Sequence, residues 1–221
     1  MKRRRRIGIL GGTFNPIHLG HVQAADQVRA AMSMDKILFV PSYIPPHKEA
    51  RDIAPAADRF RMVELACLGH EGFEASSVEV EAKEKSYSIL TLDRIKRRYP
   101  ERRVFFIVGV DAFLEIGTWH EVERVIEQGL FAVMDRPGFD LRAASGVLGG
   151  RLAPKVHAVR AGEIIDDALF SRFSVFLLPI QALDISSTDV RDRLRHGRSI
   201  AELVPGPVAE YITSHHLYTD R

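Results

Sequence analysis

Short apolar runs alternate along the chain with longer stretches in which apolar residues recur every three or four positions. The runs Arg6–Leu10, Lys36–Val40, Glu74–Val80, Val104–Val108, Leu130–Met134 and Ser174–Leu178 are rich in β-branched and aromatic residues. Most end at Gly or Pro, so they predict short buried strands. The intervening patterns predict amphipathic helices over His18–Met32, Asp58–Leu68, Ser88–Tyr99 and Glu121–Gln128, with Ser187–His196 and Pro207–His216 closing the chain. In the first of these Val22, Ala25, Val28 and Met32 share a face. In the second, Phe60, Val63 and Cys67 do, which gives the thiol a packing role rather than a chemical one. In the last, Val208, Tyr211, Ile212 and His215 do, which marks His215 as structural. Strand and helix in alternation predict an α/β fold, a doubly wound and mainly parallel sheet with helices on both faces. The segment from Gly138 to Arg172, broken by Gly146, Gly149, Gly150 and Pro154, predicts an irregular connection or a small helical insertion. No repeat or boundary divides the chain, so residues 1–221 are expected to be a single domain with C-terminal helices over 187–216.

Composition narrows this picture. At 221 residues, 46% of them apolar, the chain can build a sizeable core without staples. Cys67 is the sole cysteine, which excludes an intrachain disulfide and fits a reducing, cytoplasmic compartment. No run approaches the ~18 apolar residues of a membrane span, and no membrane association is expected. Lys2–Arg6 is followed only by Ile7, Ile9 and Leu10 before Gly11 and Gly12, too little for the apolar core of a signal peptide. Thirty-one Lys and Arg against 29 Asp and Glu leave a net charge of +2, so no nucleic-acid partner is expected. The basic clusters Lys2–Arg6 and Lys96–Arg98 with Arg102 and Arg103 read as solvated faces, without the aromatic interleaving of a single-strand binder.

Chemistry concentrates in Gly11-Gly12-Thr13-Phe14-Asn15-Pro16-Ile17-His18-Leu19-Gly20-His21, between the first strand and the first helix. Asn15 is placed to cap that helix and Pro16 to occupy its first turn. Free N–H groups and the positive dipole end would then face an anion, with Gly11 and Gly12 allowing close approach. His18 and His21 lie three apart on one helix face, with Gly20 leaving space, and as paired donors they can neutralise charge on a phosphoryl oxygen. A metal half-site is the alternative for an arbitrary pair; the glycine-rich strand-to-helix context favours phosphate. The segment is neither G-x-G-x-x-G nor a P-loop, so hydride transfer and conventional ATPase chemistry lose their support.

Other candidates sit after later strands. Lys48, in the stiff Pro45-Pro46-His47-Lys48 loop, reads as a mobile cation over phosphates or a solvated loop lysine. Gly109 and Asp111 follow the fourth strand, where ligands lie in an open parallel sheet; Asp111 can accept from ribose hydroxyls or cap a helix at Ala112. Trp119, the only tryptophan, offers a flat face to an aromatic or pyridinium ring unless it is core. Ser186 and Asp189 form a capping-box pattern, and Ser187, Thr188 and Arg191 beside it make a second anion site. Arg136, after the fifth strand, is a candidate for a mononucleotide phosphate or a surface ion pair.

GGTFNPIHLGH resembles the opening motif of the nucleotidyltransferase superfamily with the T/H-x-G-H signature. PPHK, SYS (Ser86–Ser88), GVDAF with Trp119, RPG (Arg136–Gly138) and ISSTDVR (Ile185–Arg191), in family order, make the chain similar to bacterial nicotinate-nucleotide adenylyltransferases. The resemblance implies a Rossmann-like fold and adenylyl transfer from ATP to nicotinate mononucleotide, with Mg²⁺ carried by ATP rather than by a protein-built cage. It implies His18 and His21 as catalytic and Gly11, Gly12, Thr13, Phe14 and Lys48 as ATP-binding, joined by Gly109, Asp111, Ser187, Thr188 and Arg191. Tyr87, Ser88, Trp119, His120 and Arg136 would hold the mononucleotide, Trp119 stacking on the nicotinate ring and N–H groups near Ser88 and His120 receiving its carboxylate. Ser88 departs from the threonine usual there. Nicotinamide mononucleotide as acceptor, a phosphopantetheine or glycerol phosphate enzyme of the superfamily, and a non-catalytic nucleotide- or RNA-binding module are the alternatives. Trp119 and SYS favour the nicotinate reading, and assembly into a homo-oligomer is compatible with the sequence.

Overall fold

The computed structural model describes residues 5–45, 53–150, 153, 155–181 and 183–219. Among them seven strands form one sheet: β1 (Arg6–Gly12), β2 (Lys36–Pro41), β3 (Phe73–Ala75), β4 (Arg103–Gly109), β5 (Leu130–Met134), β6 (Val156–Ala158) and β7 (Val175–Leu178). Their order is β3-β2-β1-β4-β5-β7-β6, and every pair is parallel. The helices are α1 (Leu19–Ala31), α2 (Ala56–Cys67), α3 (Val78–Ala82), α4 (Ser88–Arg98), α5 (Val110–Leu114), α6 (Val122–Gln128), α7 (Leu169–Arg172), α8 (Ser187–Arg195) and α9 (Gly206–Ser214).

Alternate residues of each strand feed opposite layers, as the strand period requires. Leu10, Phe39, Phe105, Ile107 and Phe176 face a core completed by α1, α2, α8 and α9; Ile7, Ile9, Leu38, Val40, Phe106 and Leu177 face one completed by α4, α5 and α6. This is the expected doubly wound, Rossmann-like arrangement. Strand order reverses between β1 and β4, and the crevice beyond their C-terminal ends is where such sheets hold ligands.

Several expectations are corrected. Glu74–Val80 is not one strand: the ladder ends at Ala75, and Val78 opens α3. Val78 and Val80 mimic strand alternation, but the side chain turned inward is Glu79, bonded to Thr91. The 138–172 segment contains a 3-10 turn (Leu141–Gly146), the edge strand β6 and α7; a three-residue edge strand is too short to show a period. Helix α1 starts at Leu19 with His18 as N-cap, so Asn15 does not cap it and Pro16 is not in its first turn. The Asn15–Pro16 peptide is cis, and Asn15 Oδ1 accepts from the Ala54 N–H at 2.9 Å. His215 is exposed at the C-cap of α9, its ring 3.9 Å from Tyr211.

Neither basic cluster is simply solvated. Arg6, 2% exposed, donates to Met32 O at 2.8 Å and meets Asp167 at 3.2 Å; Arg103 reaches the same carboxylate oxygen at 2.7 Å. Both guanidiniums lie over the Phe170 ring, 4.7 and 4.5 Å from its centroid, fastening α7 to the sheet edge remote from the strand C-termini. Lys96 Nζ donates to Gln128 O at 2.7 Å. Cys67 is half-buried, and desolvation pushes its thiol up to about 12, as a packing role requires.

Candidate active site

The site is built on strand ends, beginning with β1. Gly11 is exposed, with no atom within 4 Å of where a Cβ would stand. Beyond it the loop turns into α1, bringing the His18 and His21 rings together at 3.6 Å between centroids and 31° between planes. His21 Nδ1 accepts the His18 backbone N–H at 3.3 Å. This leaves a neutral His21 with its proton on Nε2. Gly20 is where it is because a Cβ would stand 3.0 Å from His18 Nδ1.

His18 is 4% exposed, and its Nδ1 has no hydrogen-bond partner among the described residues. Burial, reinforced by the Arg136 cation and opposed by Asp189, lowers its pKa to about 4. The ring is neutral near pH 7 and remains a hydrogen-bond donor.

The loop between Gly12 and His18 is held from behind. Arg59, 1% exposed on α2, donates to Thr13 O at 2.8 Å, Tyr43 O at 3.2 Å and Ala54 O at 2.9 Å. Arg191 donates to Asn15 O at 2.9 Å and to Thr188 Oγ1 at 3.3 Å, and the Ser187 hydroxyl donates to Pro16 O at 2.9 Å. The N-terminus of α8 therefore abuts the motif loop, with the expected capping box of Ser186 and Asp189 in place.

At the ends of β4 and β5, Asp111 lies in the first turn of α5 without capping it; Gly109 is the N-cap residue. Arg136 Nε is 3.6 Å from Asp111 Oδ1, and a Cβ on Gly109 would stand 2.2 Å from that oxygen and 3.1 Å from Arg136 Nε. A side chain at 109 would push the Asp111 carboxylate aside. Arg136 thus stands beside Asp111 and within electrostatic reach of His18.

That aromatic group forms at the start of α4 and in the turn before α6. Tyr87 and His120 stack at 4.3 Å, and half-buried Trp119 meets Phe106 of β4 edge-on at 6.5 Å. Ser88 is the first residue of α4, with Tyr87 as its N-cap. Behind them Ser86 Oγ accepts from the Tyr43 N–H at 2.9 Å. Glu79, bonded to Ser86 and Thr91, has its carboxyl pKa raised by burial. Lys48 lies outside the described residues.

Sequence reasoning missed Arg59 and Glu79, gave Ser86 no role of its own within SYS, and gave the Asn15 side chain the wrong one. Arg59 left a trace: the buried face of α2 is Arg59, Met62, Val63 and Ala66, an arginine in the apolar phase of a helix.

Paired imidazoles beyond the glycine end of β1, a guanidinium–carboxylate pair joining the ends of β4 and β5 beside the switch point, and a second helix terminus fit a nucleotidyltransferase. The family described as Cytidylyltransferase-like matches residues 9–193. A Geobacter metallireducens protein named "Probable nicotinate-nucleotide adenylyltransferase" is 41% identical over 214 residues, 97% of this chain and 98% of its own. A Desulfitobacterium hafniense protein of the same name is 37% identical, over 97% and 96%. The Plasmodium falciparum nicotinic acid mononucleotide adenylyltransferase complexed with NaAD shares the fold, with a TM-score of 0.70 at 20% identity and 97% of each chain covered. The chain belongs to the nicotinate-nucleotide adenylyltransferase family, within the cytidylyltransferase-like proteins.

Proposed function

We propose that the chain transfers the adenylyl group of ATP to the 5′-phosphate of nicotinate mononucleotide, releasing pyrophosphate and nicotinate adenine dinucleotide. The observation that carries this reading is the convergence of the β1, β4 and β5 ends on one crevice holding the histidine pair and the Asp111–Arg136 pair. The triphosphate lies along Gly11–Phe14 and the start of α8, where Thr188 and Arg191 stand, with Lys48 as a further phosphate contact. Asp111, beyond Gly109, accepts from the adenosine ribose. His18 and His21 donate to the α-phosphate as charge builds on its oxygens, which is catalysis by preorganised electrostatics.

The mononucleotide occupies the aromatic side, its nicotinate ring against Trp119 and the Tyr87–His120 pair, its phosphate toward Arg136. N–H groups at the start of α4, where Ser88 sits, and near His120 receive the carboxylate. An amide there would leave its NH₂ without an acceptor, at a cost of about 1–3 kcal/mol. The attacking phosphate oxygen displaces pyrophosphate directly. Among the described candidates, the Ser187 hydroxyl is engaged with Pro16 O and the Cys67 thiol is held protonated, so neither suits a covalent adenylyl intermediate. Mg²⁺ carried with the triphosphate would neutralise phosphate charge there.

Pyrophosphate release with ATP and each candidate acceptor tests this reading. Nicotinate mononucleotide should turn over with a kcat/KM about 5- to 150-fold above that for nicotinamide mononucleotide, and His18→Ala or His21→Ala should lower kcat by roughly 10²-fold. Turnover only with phosphopantetheine or glycerol phosphate, or none with any acceptor, overturns it.

A further inference from the structure

Phe14 has φ +48, in the left-handed region that a bulky aromatic residue rarely enters. The carbonyls on either side of it are tied down, Thr13 O by Arg59 and Asn15 O by Arg191. The Thr13–Phe14 peptide is trans, so its N–H points opposite its carbonyl. With the carbonyl turned to Arg59 on α2, the N–H turns away from α2, and no described residue accepts from it. Arg59 also donates to Ala54 O and Tyr43 O, which makes one buried guanidinium the junction of the motif loop, the segment after β2 and the start of α2. Tyr43 is in turn joined through its N–H to Ser86, the neighbour of Tyr87.

We propose that Arg59 is a positioning residue for adenylyl transfer: by holding Thr13 O it locks Phe14 in its left-handed conformation and presents the Phe14 N–H to the triphosphate. This rests on the reading of Gly11–Phe14 as the triphosphate loop. Arg59 touches no substrate; it acts through the peptide it holds. A planar guanidinium with donors fanned in one plane can span three carbonyls, whereas an ammonium cannot hold all three in the same geometry. Without Arg59 the strain at Phe14 is relieved by rotation of the Thr13–Phe14 peptide, which removes a donor from the site.

The test uses the full-length enzyme with Arg59→Met and Arg59→Lys. KM for ATP should rise at least about tenfold in Arg59→Met, the scale of a misplaced positioning group, while KM for nicotinate mononucleotide stays within about twofold. Arg59→Lys should move in the same direction by less and carries the test if the methionine variant does not fold. Hydrogen exchange of the ligand-free variants should quicken in peptides spanning residues 11–17 and stay unchanged in β4. Activity that falls only in proportion to the folded fraction, with KM for ATP unchanged, would make Arg59 merely structural and overturn the proposal. A non-hydrolysable ATP analogue with wild-type enzyme separates the two readings. Absent protection of residues 11–17 defeats the triphosphate loop and the proposal with it. Protection in the wild type combined with a normal KM for ATP in both variants defeats the proposal alone.

Discussion

Replacing His18 by Gln should flatten the acid limb of the stability curve, and the size of the effect follows from its burial. The folded chain holds this imidazole neutral because protonation would place a charge in a desolvated site already facing the Arg136 cation, with Asp189 compensating only in part. The unfolded chain has no such constraint and takes up the proton below its ordinary pKa of 6.5, whereas the folded chain resists to about 4. A depressed folded-state pKa gives stability that is fully present above 6.5, is lost as pH falls toward 4 and is constant below that. At ~1.4 kcal/mol per pH unit the full loss is about 3 kcal/mol, of which about 2 kcal/mol has gone by pH 5. Urea unfolding of wild type and His18→Gln at pH 7.5 and pH 5 isolates this contribution, since other titrating groups, Glu79 among them, are common to both proteins. The wild type should lose about 2 kcal/mol more than the variant between the two pH values. Parallel losses within about 0.5 kcal/mol, the usual accuracy of such differences, would refute the claim that His18 is held neutral by the fold.

Gly109→Ala should leave the melting temperature nearly unchanged, because the atom it strikes is the tip of the Asp111 side chain 2.2 Å away; steady-state kinetics should show a raised KM for ATP as Asp111 is displaced. Phe170→Ala should cost about 3 kcal/mol by chemical denaturation, with kcat and both KM values unchanged, because the Arg6–Phe170–Arg103 stack lies at the opposite sheet edge. Trp119 fluorescence should quench on binding nicotinate mononucleotide, and Trp119→Ala should raise its KM about fivefold, corresponding to ~1 kcal/mol of stacking.

The sheet and most helices were legible because β1, β2, β4, β5 and β7 are buried on both faces and therefore read as near-continuous apolar runs bounded by Gly or Pro. Where legibility failed, a polar residue had taken a core position or an element was too short to have a period. Val78-Glu79-Val80 reads as strand only until Glu79 is found inside. Arg6 and Arg103 look solvated in a basic cluster, but their partners Asp167 and Phe170 are distant in the chain. The first motif stood out as a candidate phosphate site, yet its helix starts three residues later than Asn15 and Pro16 suggest. The carbonyls of that loop are satisfied by Arg59, Arg191 and Ser187, none of them local. Of these long-range donors only Arg59 leaves a periodic trace, as an arginine on the buried face of α2.

In the proposed reaction the phosphate of nicotinate mononucleotide attacks the α-phosphorus of ATP directly, with the protein supplying position and charge but no nucleophile. The stereochemical course at that phosphorus tests it most directly, using ATP made chiral by sulfur at the α-position and analysing the configuration of the thio-dinucleotide formed. A single in-line displacement predicts inversion. Retention would require two displacements through an adenylylated residue and would rule out direct transfer.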